Sequence, residues 1–249
     1  MAEVFEPKEL IRGDSTAEPG VVEYRLDLLQ RFTKIEGRWL DCGCAEGSYA
    51  QAFLHAGASE VVGTDVEADR VADASAGAAE HGLANLSFHV AAAEDLPFED
   101  ASFDGAFLNE VLEHVADQQR SLEELCRVLK PGGVLVVFSP NRWFPLEGHG
   151  AKIGSLHLGF PVPIVPWLPQ RLSSRMMTAR NYWPRQLAAT IAAGGFRIET
   201  VDFALPLFSK YPWMPKRAID AYREAMPRIQ RSAVLRRFGV STLVVARRP

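Results

Sequence analysis

Residues 38–47 read Arg-Trp-Leu-Asp-Cys-Gly-Cys-Ala-Glu-Gly, and they say more about the fold than any other stretch of the chain. An apolar approach ends at Asp41, a loop of small residues follows, and residues 48–56 have a helical composition. This order predicts a strand, a tight turn and a helix. Glycines in such a turn let a ligand approach the backbone, and the start of the helix offers N–H groups without intrahelical partners.

A second carboxylate ends the next apolar segment. Residues 60–65 read Glu-Val-Val-Gly-Thr-Asp, so Asp65 lies 18 positions after Gly47. In nucleotide-binding α/β folds, a ribose-binding carboxylate follows the glycine loop by about 20 residues. The two stretches together therefore predict a site for a nucleotide-like ligand at the ends of two strands. The alternative role for Asp65 is that of a strand-end helix cap.

Strand-like and helical segments then alternate along the chain, which is typical of a doubly wound α/β fold. The sequence predicts a helix over residues 21–32, and Pro131-Gly-Gly133 should stop the helix that precedes the fifth strand. The remaining predicted segments are strands at 38–42, 60–65, 86–90, 104–109, 133–139, 196–204 and 240–246, and helices at 47–56, 67–81, 117–129 and 184–193.

The 249 residues suit one domain, 1–249, with insertions. Residues 1–34 are interpreted as a lead-in and a helix, whereas 141–180 and 205–237 are too long for simple connections. Both insertions follow strands, so we expect them at the carboxyl edge of the sheet, where ligands bind. We predict that they form a lid over the substrate site. Pro227 should break or kink the helical run in the second insertion.

Composition argues against several classes of protein. No apolar run reaches about 20 residues, so no transmembrane helix is expected, and the acidic N-terminus lacks a signal-peptide pattern. Three cysteines fit a reduced compartment. Cys42 and Cys44 have no matching second pair, which favours ordinary strand and loop residues over a metal pair. We therefore expect a cytoplasmic protein.

Charge is divided unevenly along the chain. Residues 1–140 hold 10 basic and 26 acidic residues, net −16, whereas residues 141–249 hold 17 basic and 5 acidic residues, net +12. Such a division indicates either attraction to an anionic surface or substrate, or two faces that pair within one fold. Because the arginine pairs in the second half are short, no nucleic-acid partner is expected. The oligomeric state stays open.

Three more motifs follow the glycine loop in order. They are Asp95-Leu-Pro-Phe98 with Ser102-Phe-Asp104, Asn109-Glu-Val-Leu-Glu-His-Val115, and Glu124-Leu-Cys-Arg-Val-Leu-Lys-Pro-Gly-Gly133. With the loop, they resemble the class I S-adenosylmethionine-dependent methyltransferases of the type 11 family, which includes quinone-biosynthesis methyltransferases. The resemblance covers residues 35–140 and, more weakly, 180–204. It implies S-adenosyl-L-methionine as cofactor and a Rossmann-like, mostly parallel seven-stranded sheet whose last strand is antiparallel.

The resemblance also implies which residues bind the cofactor. Asp65 should accept the ribose hydroxyls, and Asp41 should order the glycine loop near the ligand's amine. Tyr24 and Arg25 could reach the methionine carboxylate, or their helix could simply dock on the domain. The expected cofactor-binding residues are Asp41, Gly43, Cys44, Ala45, Gly47, Asp65, Val66, Ala93, Glu94 and Asn109.

Two positions depart from the family pattern. Ala45 replaces the middle glycine of the loop, so it should have φ below zero or carry modest strain. Ala92 stands where the family usually has an acidic residue that contacts adenine. Glu94, or the backbone of Ala93, is the expected substitute.

An oxygen nucleophile usually needs a base, and histidine titrates in the right range. His149, after the fifth strand, is the first candidate, with Glu147 to orient it. His114, after the fourth strand, is the second, although a structural role is an alternative for it. Glu113, His114, Glu147 and His149 could gather a metal ion, but spacing alone is weak support, and we predict no metal site.

The function that fits these features is methyl transfer to an oxygen of an amphiphilic or anionic metabolite, such as a lipid-linked sugar, a quinone or a natural product. Peripheral contact with a membrane or lipid would suit the basic second half. One alternative is a relative that binds S-adenosylmethionine without catalysis. A dinucleotide-dependent oxidoreductase is disfavoured, because the third glycine of its G-x-G-x-x-G motif would fall on Ser48.

Overall fold

The computed structural model describes residues 20–148, 150–153, 156–159, 161–177, 179–208 and 214–249. The α-helices are α1 Val21–Gln30, α2 Ser48–His55, α3 Ala68–Glu80, α4 Gln118–Val128, α5 Gln170–Met176, α6 Pro184–Ala193 and α7 Lys216–Arg231. The strands are β1 Arg38–Cys42, β2 Glu60–Asp65, β3 Leu86–Val90, β4 Phe103–Asn109, β5 Leu129–Pro140, β6 Leu146–Glu147, β7 Ala151–Ile153, β8 Leu156–Leu158, β9 Val162–Pro163, β10 Arg197–Ala204 and β11 Ser241–Arg247. Two short 3-10 helices span Val165–Trp167 and Leu235–Phe238.

Seven of the strands form one sheet in the order β10-β11-β5-β4-β1-β2-β3. Strand β11 runs antiparallel to both of its neighbours, β5 and β10, while the pairs among β1 to β5 are parallel. The predicted fold class is therefore confirmed. The first insertion adds two small antiparallel ribbons, β6 with β9 and β7 with β8.

The sheet is buried on both faces because side chains alternate along its central strands. In β1, Trp39 belongs to the core under α1, α2 and α3, whereas Leu40 belongs to the core under α4 and α6. Phe107 and Leu108 divide in the same way in β4. Full burial of one such side chain contributes about 1.5–3 kcal/mol to stability, so the central strands hold both helical layers.

The predicted bounds differ from the observed ones by no more than two residues, except at the start of strand β5. Strand β5 begins at Leu129 rather than at residue 133, because Leu129 already pairs with Phe103 before an irregular step carries the register to Val134. Pro227 was predicted to break or kink its helix; it does not break it, since α7 continues to Arg231. A proline removes only one N–H donor from the helical ladder, and the turns on either side remain.

The functional edge of the sheet is the one where the parallel strands end. Strands β1, β2 and β4 finish there at Cys42, Asp65 and Asn109, and β11 begins there at Ser241. In the part of the chain that the structure describes, no helix is long and apolar enough to cross a membrane.

Candidate functional site

The loop after β1 is held in a single conformation by backbone hydrogen bonds. The N–H groups of Gly43 and Cys44 both donate to the carbonyl of Thr64, at 2.7 and 2.9 Å. Gly43 and Gly47 have φ near 81°, and a Cβ built on Gly43 would lie 2.3 Å from Cγ2 of Val111. The loop therefore requires glycine both for its backbone conformation and for its close packing.

Ala45, the departure from the glycine pattern, adopts φ of 47°. This is the left-handed region, so the second of the two expected outcomes, modest strain, is the one observed. The N–H of Ala45 donates to Oδ2 of Asp65 at 3.0 Å, which holds the residue in place. The bond also ties the loop of β1 to the end of β2.

Asp65 uses both carboxylate oxygens within the protein. Its Oδ1 accepts from the N–H of Glu67 at 3.0 Å, and its Oδ2 accepts from Ala45. The strand-end capping role is thus present. A carboxylate has about four lone-pair sites, so two remain for other donors such as ribose hydroxyls. Beside it, Val66 leaves much of its side chain exposed at this edge.

Asp41, near the end of β1, has a buried carboxyl group with a raised pKa. It is buried, and its Oδ2 has no hydrogen-bond partner among the described residues. Burial, and then the nearby charge of Asp65, raise the pKa of Asp41 to about 7, while a backbone hydrogen bond from Ala50 opposes the rise. A buried carboxylate without a partner favours binding of a positively charged ligand group, because the cation would offset the cost of burying the carboxylate.

The predicted adenine contacts lie at a tight turn after β3. Ala93 is buried, and Ala92 and Asp95 form an isolated bridge across the turn. Oε1 of Glu94 accepts from the N–H groups of Ala116 and Asp117, at 2.8 and 3.2 Å. That carboxylate is therefore engaged with the start of α4, and its contact with adenine stays a prediction.

Arg25 reaches the end of β4 from α1 and is buried there. Its guanidinium donates to Oδ1 of Asn109, to Oε1 of Glu110 at 2.9 Å and to Oγ of Ser241 at 2.8 Å. It also lies 5.0 Å from the centre of the Phe138 ring. Helix α1 is thus docked on the site by a charged side chain, although Arg25 is already engaged by protein groups.

Glu110 and Glu113 form a pair of carboxyl groups behind Arg25. Glu113 is fully buried: its Oε2 accepts from Oγ of Ser139 at 2.7 Å, and its Oε1 has no described partner. Burial, and then the charge of Glu110, hold the pKa of Glu113 well above its usual range. Two close carboxyl groups cannot both ionise easily, so burial and the charge of Glu110 both favour the protonated form of Glu113.

Sequence reasoning did not single out Glu110 or Ser241. Glu110 has φ of 56°, and its side chain accepts from Ser241 as well as from Arg25. The available signal was an acidic residue directly after the fourth strand, at the edge where ligands bind. No local signal marks Ser241, because β11 brings it from the far end of the chain.

The structure describes His114 and Glu147 but not His149, the first candidate for the base. His149 lies outside the described residues, so its predicted pairing with Glu147 is not tested. Glu147 is buried and accepts from Nδ2 of Asn181. His114 is half-buried in the turn after β4, where its backbone N–H donates to the backbone carbonyl of Val111 at 2.8 Å. Within the described ranges, no group of three or more His, Cys, Asp or Glu residues could hold a metal ion.

The site fits the implied cofactor. The unpartnered oxygen of Asp41 suits the ammonium of a methionine moiety, Asp65 has lone pairs left for a ribose, and Val66 offers an exposed apolar face for a base. These three features line one edge beside the glycine loop.

Comparison with known proteins shows that the chain is similar to methyltransferases. A family model described as a methyltransferase domain matches residues 40–137. The ubiquinone biosynthesis O-methyltransferase of Brucella anthropi is 32% identical over 162 residues, covering 65% of this chain and 60% of that protein. The protein of the same name from Rhizobium etli is 30% identical over 189 residues, covering 75% of this chain and 71% of the relative.

Among solved structures, an S-adenosylmethionine dependent methyltransferase from Mesorhizobium loti superposes with a TM-score of 0.63. It is 22% identical, and the match covers 92% of this chain and 99% of that chain. At this identity the likeness shows the fold alone. The chain spans less than two thirds of the Brucella relative's length.

Proposed function

This chain belongs to the class I S-adenosylmethionine-dependent methyltransferases of the type 11 family, and from that premise we propose that it transfers a methyl group to an oxygen of a small-molecule acceptor. The observation that carries the proposal is the pair of acids at the ends of β1 and β2, Asp41 and Asp65, joined through the glycine loop. S-adenosylmethionine, when bound, supplies a methyl group on a sulfonium, which is already electrophilic.

The protein's contribution is positioning. Asp41 pairs with the ammonium, Asp65 accepts the ribose hydroxyls, and Val66 packs on the adenine. Asn109 lies at the end of β4, where Arg25 holds its side chain. Holding two reactants in line can contribute about 7–11 kcal/mol to a rate, so a rigid edge accounts for much of the catalysis that such a reaction needs.

The acceptor hydroxyl must lose its proton as the new carbon–oxygen bond forms. We propose His149 as the group that takes it, with Glu147 or His114 in support. Glu110 is a second candidate, because it directly follows β4 at the edge where ligands bind and contacts Arg25 and Ser241 there. The pH profile of kcat separates the two: His149→Ala should abolish a histidine-like limb, whereas Glu110→Gln should leave that limb in place.

The acceptor that suits this chain has an apolar part and an anionic part. We propose the two insertions as a lid; the first brings the exposed Trp143 and Trp167, while the second half of the chain carries a net charge of +12. The Brucella and Rhizobium relatives are named for ubiquinone biosynthesis, which favours a quinone precursor over a lipid-linked sugar or another natural product. Arginine binds carboxylate and phosphate groups in a bidentate manner, so either anion could orient the acceptor.

Mass spectrometry over a panel of phenolic, quinol and glycolipid acceptors tests the activity. We expect a product heavier by one methylene, formed only with S-adenosylmethionine. Calorimetry with S-adenosylmethionine and its demethylated product tests the site separately. Binding without a product from any acceptor would favour the alternative, a non-catalytic relative, and absence of binding would refute the whole proposal.

Two variants test the proposed roles of Asp65 in cofactor binding and of His149 as the base. Asp65→Ala should weaken S-adenosylmethionine binding by at least about tenfold, because it removes charge-assisted hydrogen bonds. His149→Ala should lower turnover while that binding stays near wild type. Unaltered affinity in the first variant would contradict the ribose assignment, and unaltered turnover in the second would remove His149 from the mechanism.

A further inference from the structure

Three aromatic side chains from distant parts of the chain meet on the outside of the molecule. Trp143 packs edge-on against Trp183 and Phe238, with ring centres 5.2 and 5.8 Å apart. Their exposed fractions are 38%, 37% and 41%. A cluster of large rings that remains more than one third exposed is a contiguous apolar surface facing water, and such surfaces usually mark a site of interaction.

The second insertion extends this cluster. Leu235 and Phe238 are three residues apart on a 3-10 helix, so their side chains lie on the same side. Leu235 is 53% exposed, and Val234, which precedes the helix, is also exposed.

The first insertion, which already contributes Trp143, adds a further exposed tryptophan. The guanidinium of Arg142 lies 5.4 Å from the centre of the Trp183 ring, and its Nε donates to the carbonyl of Pro166 at 2.6 Å. This bond holds the segment that carries Trp167, whose side chain is also exposed. We call Trp143, Trp167, Trp183, Val234, Leu235 and Phe238 the aromatic surface.

The segments that carry the aromatic surface are strongly basic. Residues 142–185 contain six basic residues and one acidic residue, and that acid, Glu147, is buried. Residues 228–238 contain four arginines and no acidic residue. Arg142 is buried, and Arg236 pairs with Asp202 at 3.2 Å. The basic side chains of these segments that are exposed to water include Arg171, Arg175, Arg185, Arg228, Arg231 and Arg237.

The aromatic surface lies beside the functional edge of the sheet. Asn141, two positions before Trp143, donates through Nδ2 to the carbonyl of Gly239 at 2.7 Å. Two residues further on, Ser241 contacts Glu110 at the site. A membrane that covers the aromatic surface would therefore lie close to Ser241 and Glu110 of the candidate site.

We propose that the aromatic surface docks the protein on an anionic lipid bilayer. Tryptophan and phenylalanine favour the interface between headgroups and acyl chains, and arginines around them are attracted to anionic headgroups. A second copy docked face to face through the same surface would bring like-charged arginines together and be repelled. The inference goes beyond the proposed methyl transfer, because docking needs neither donor nor acceptor.

Co-sedimentation of the full chain with phosphatidylcholine vesicles, with and without phosphatidylglycerol, tests the proposal. We expect at least about tenfold stronger binding to the anionic vesicles, weakening as salt is raised. Leu235→Asp should lower this binding by about tenfold or more. Val90→Asp is the matched control, since Val90 is 56% exposed on the edge strand β3, away from the aromatic surface, and the charge change is identical.

Three results would overturn the proposal. They are equal binding to neutral and anionic vesicles, equal loss in Leu235→Asp and Val90→Asp, and no vesicle binding together with a dimer that Leu235→Asp dissociates in sedimentation velocity. Thermal unfolding shows independently whether each variant stays folded. Vesicle binding by a chain that lacks methyl transfer would still support the docking surface.

Discussion

Replacing Asp41 with asparagine separates the cost of a buried charge from its use in binding. Burial and the charge of Asp65 raise the pKa of Asp41 from 3.8 to about 7. Because the pKa of Asp41 is raised on folding, its contribution to the stability of the fold is complete below about pH 4. That contribution is lost as the pH rises through about 7. At about 1.36 kcal/mol per unit, the loss reaches about 4 kcal/mol at pH 8 as an upper bound.

Asp41→Asn should therefore unfold at higher urea concentration than wild type at pH 8, by up to about 4 kcal/mol in the free energy of unfolding. The difference should shrink to about 1–2 kcal/mol near pH 5, where the wild-type carboxyl is already protonated in the folded protein. Asparagine can still accept the hydrogen bond from Ala50, so the loop keeps its geometry. A variant that gains no stability at pH 8, or a gain that is independent of pH, would refute the reasoning.

The same variant should lose affinity for the cofactor. An ammonium that pairs with Asp41 lowers the pKa of the carboxyl, so wild type should release a proton on binding at pH 6–7. Calorimetry in buffers of different ionisation enthalpy measures that proton. Asp41→Asn should show no such release and about tenfold or weaker binding. Proton release that persists in the variant would assign it to another group.

Arg25→Met should lower the free energy of unfolding by about 3–5 kcal/mol in urea denaturation, because it leaves Glu110 without its buried cation; a smaller loss would mean that water reaches the pair. Glu113→Gln keeps the acceptor for Ser139, and since the pKa of Glu113 is raised, its stability relative to wild type should increase as the pH rises from 5 to 8. Gly43→Ala should lower stability by about 1–3 kcal/mol through positive φ and the clash with Val111. Gly77→Ala is its control: nothing lies within 4 Å of the added Cβ in α3, so thermal unfolding should show a gain of about 0.5–1 kcal/mol.

Local patterns were sufficient for the central elements. Strands β1 and β2 and helix α6 have the predicted bounds, because glycine, proline or an acidic residue lies at or next to each of their ends. Strand β3 also has its predicted bounds, between Asn85 and Ala91. Strand β5 was misjudged, since its first residue is defined by pairing with Phe103. Such pairing depends on a neighbouring strand rather than on the residue's own surroundings in the chain.

Asp41 and Asp65 show the same difference between what local sequence predicts and what tertiary contacts decide. The sequence placed Asp41 and Asp65 at strand ends, which is a local property. It did not establish that Oδ2 of Asp41 would be buried without a partner, because burial results from α2 and β2 closing over the loop. The perturbed pKa, and with it the expected proton release, is therefore a tertiary property.

The sequence by itself determined the order of the seven sheet strands along the chain, the glycine loop and the resemblance to the family, since these depend on periodicity, spacing and motifs within a few dozen residues. Only the tertiary structure decided that Arg25 would be held by Glu110 and Ser241, which are 85 and 216 positions away. It also decided that Trp143, Trp183 and Phe238 would share one surface. The physical reason is that contacts over such separations arise only when the sheet brings strand ends together, and no pattern within a segment encodes which distant side chain will be its neighbour.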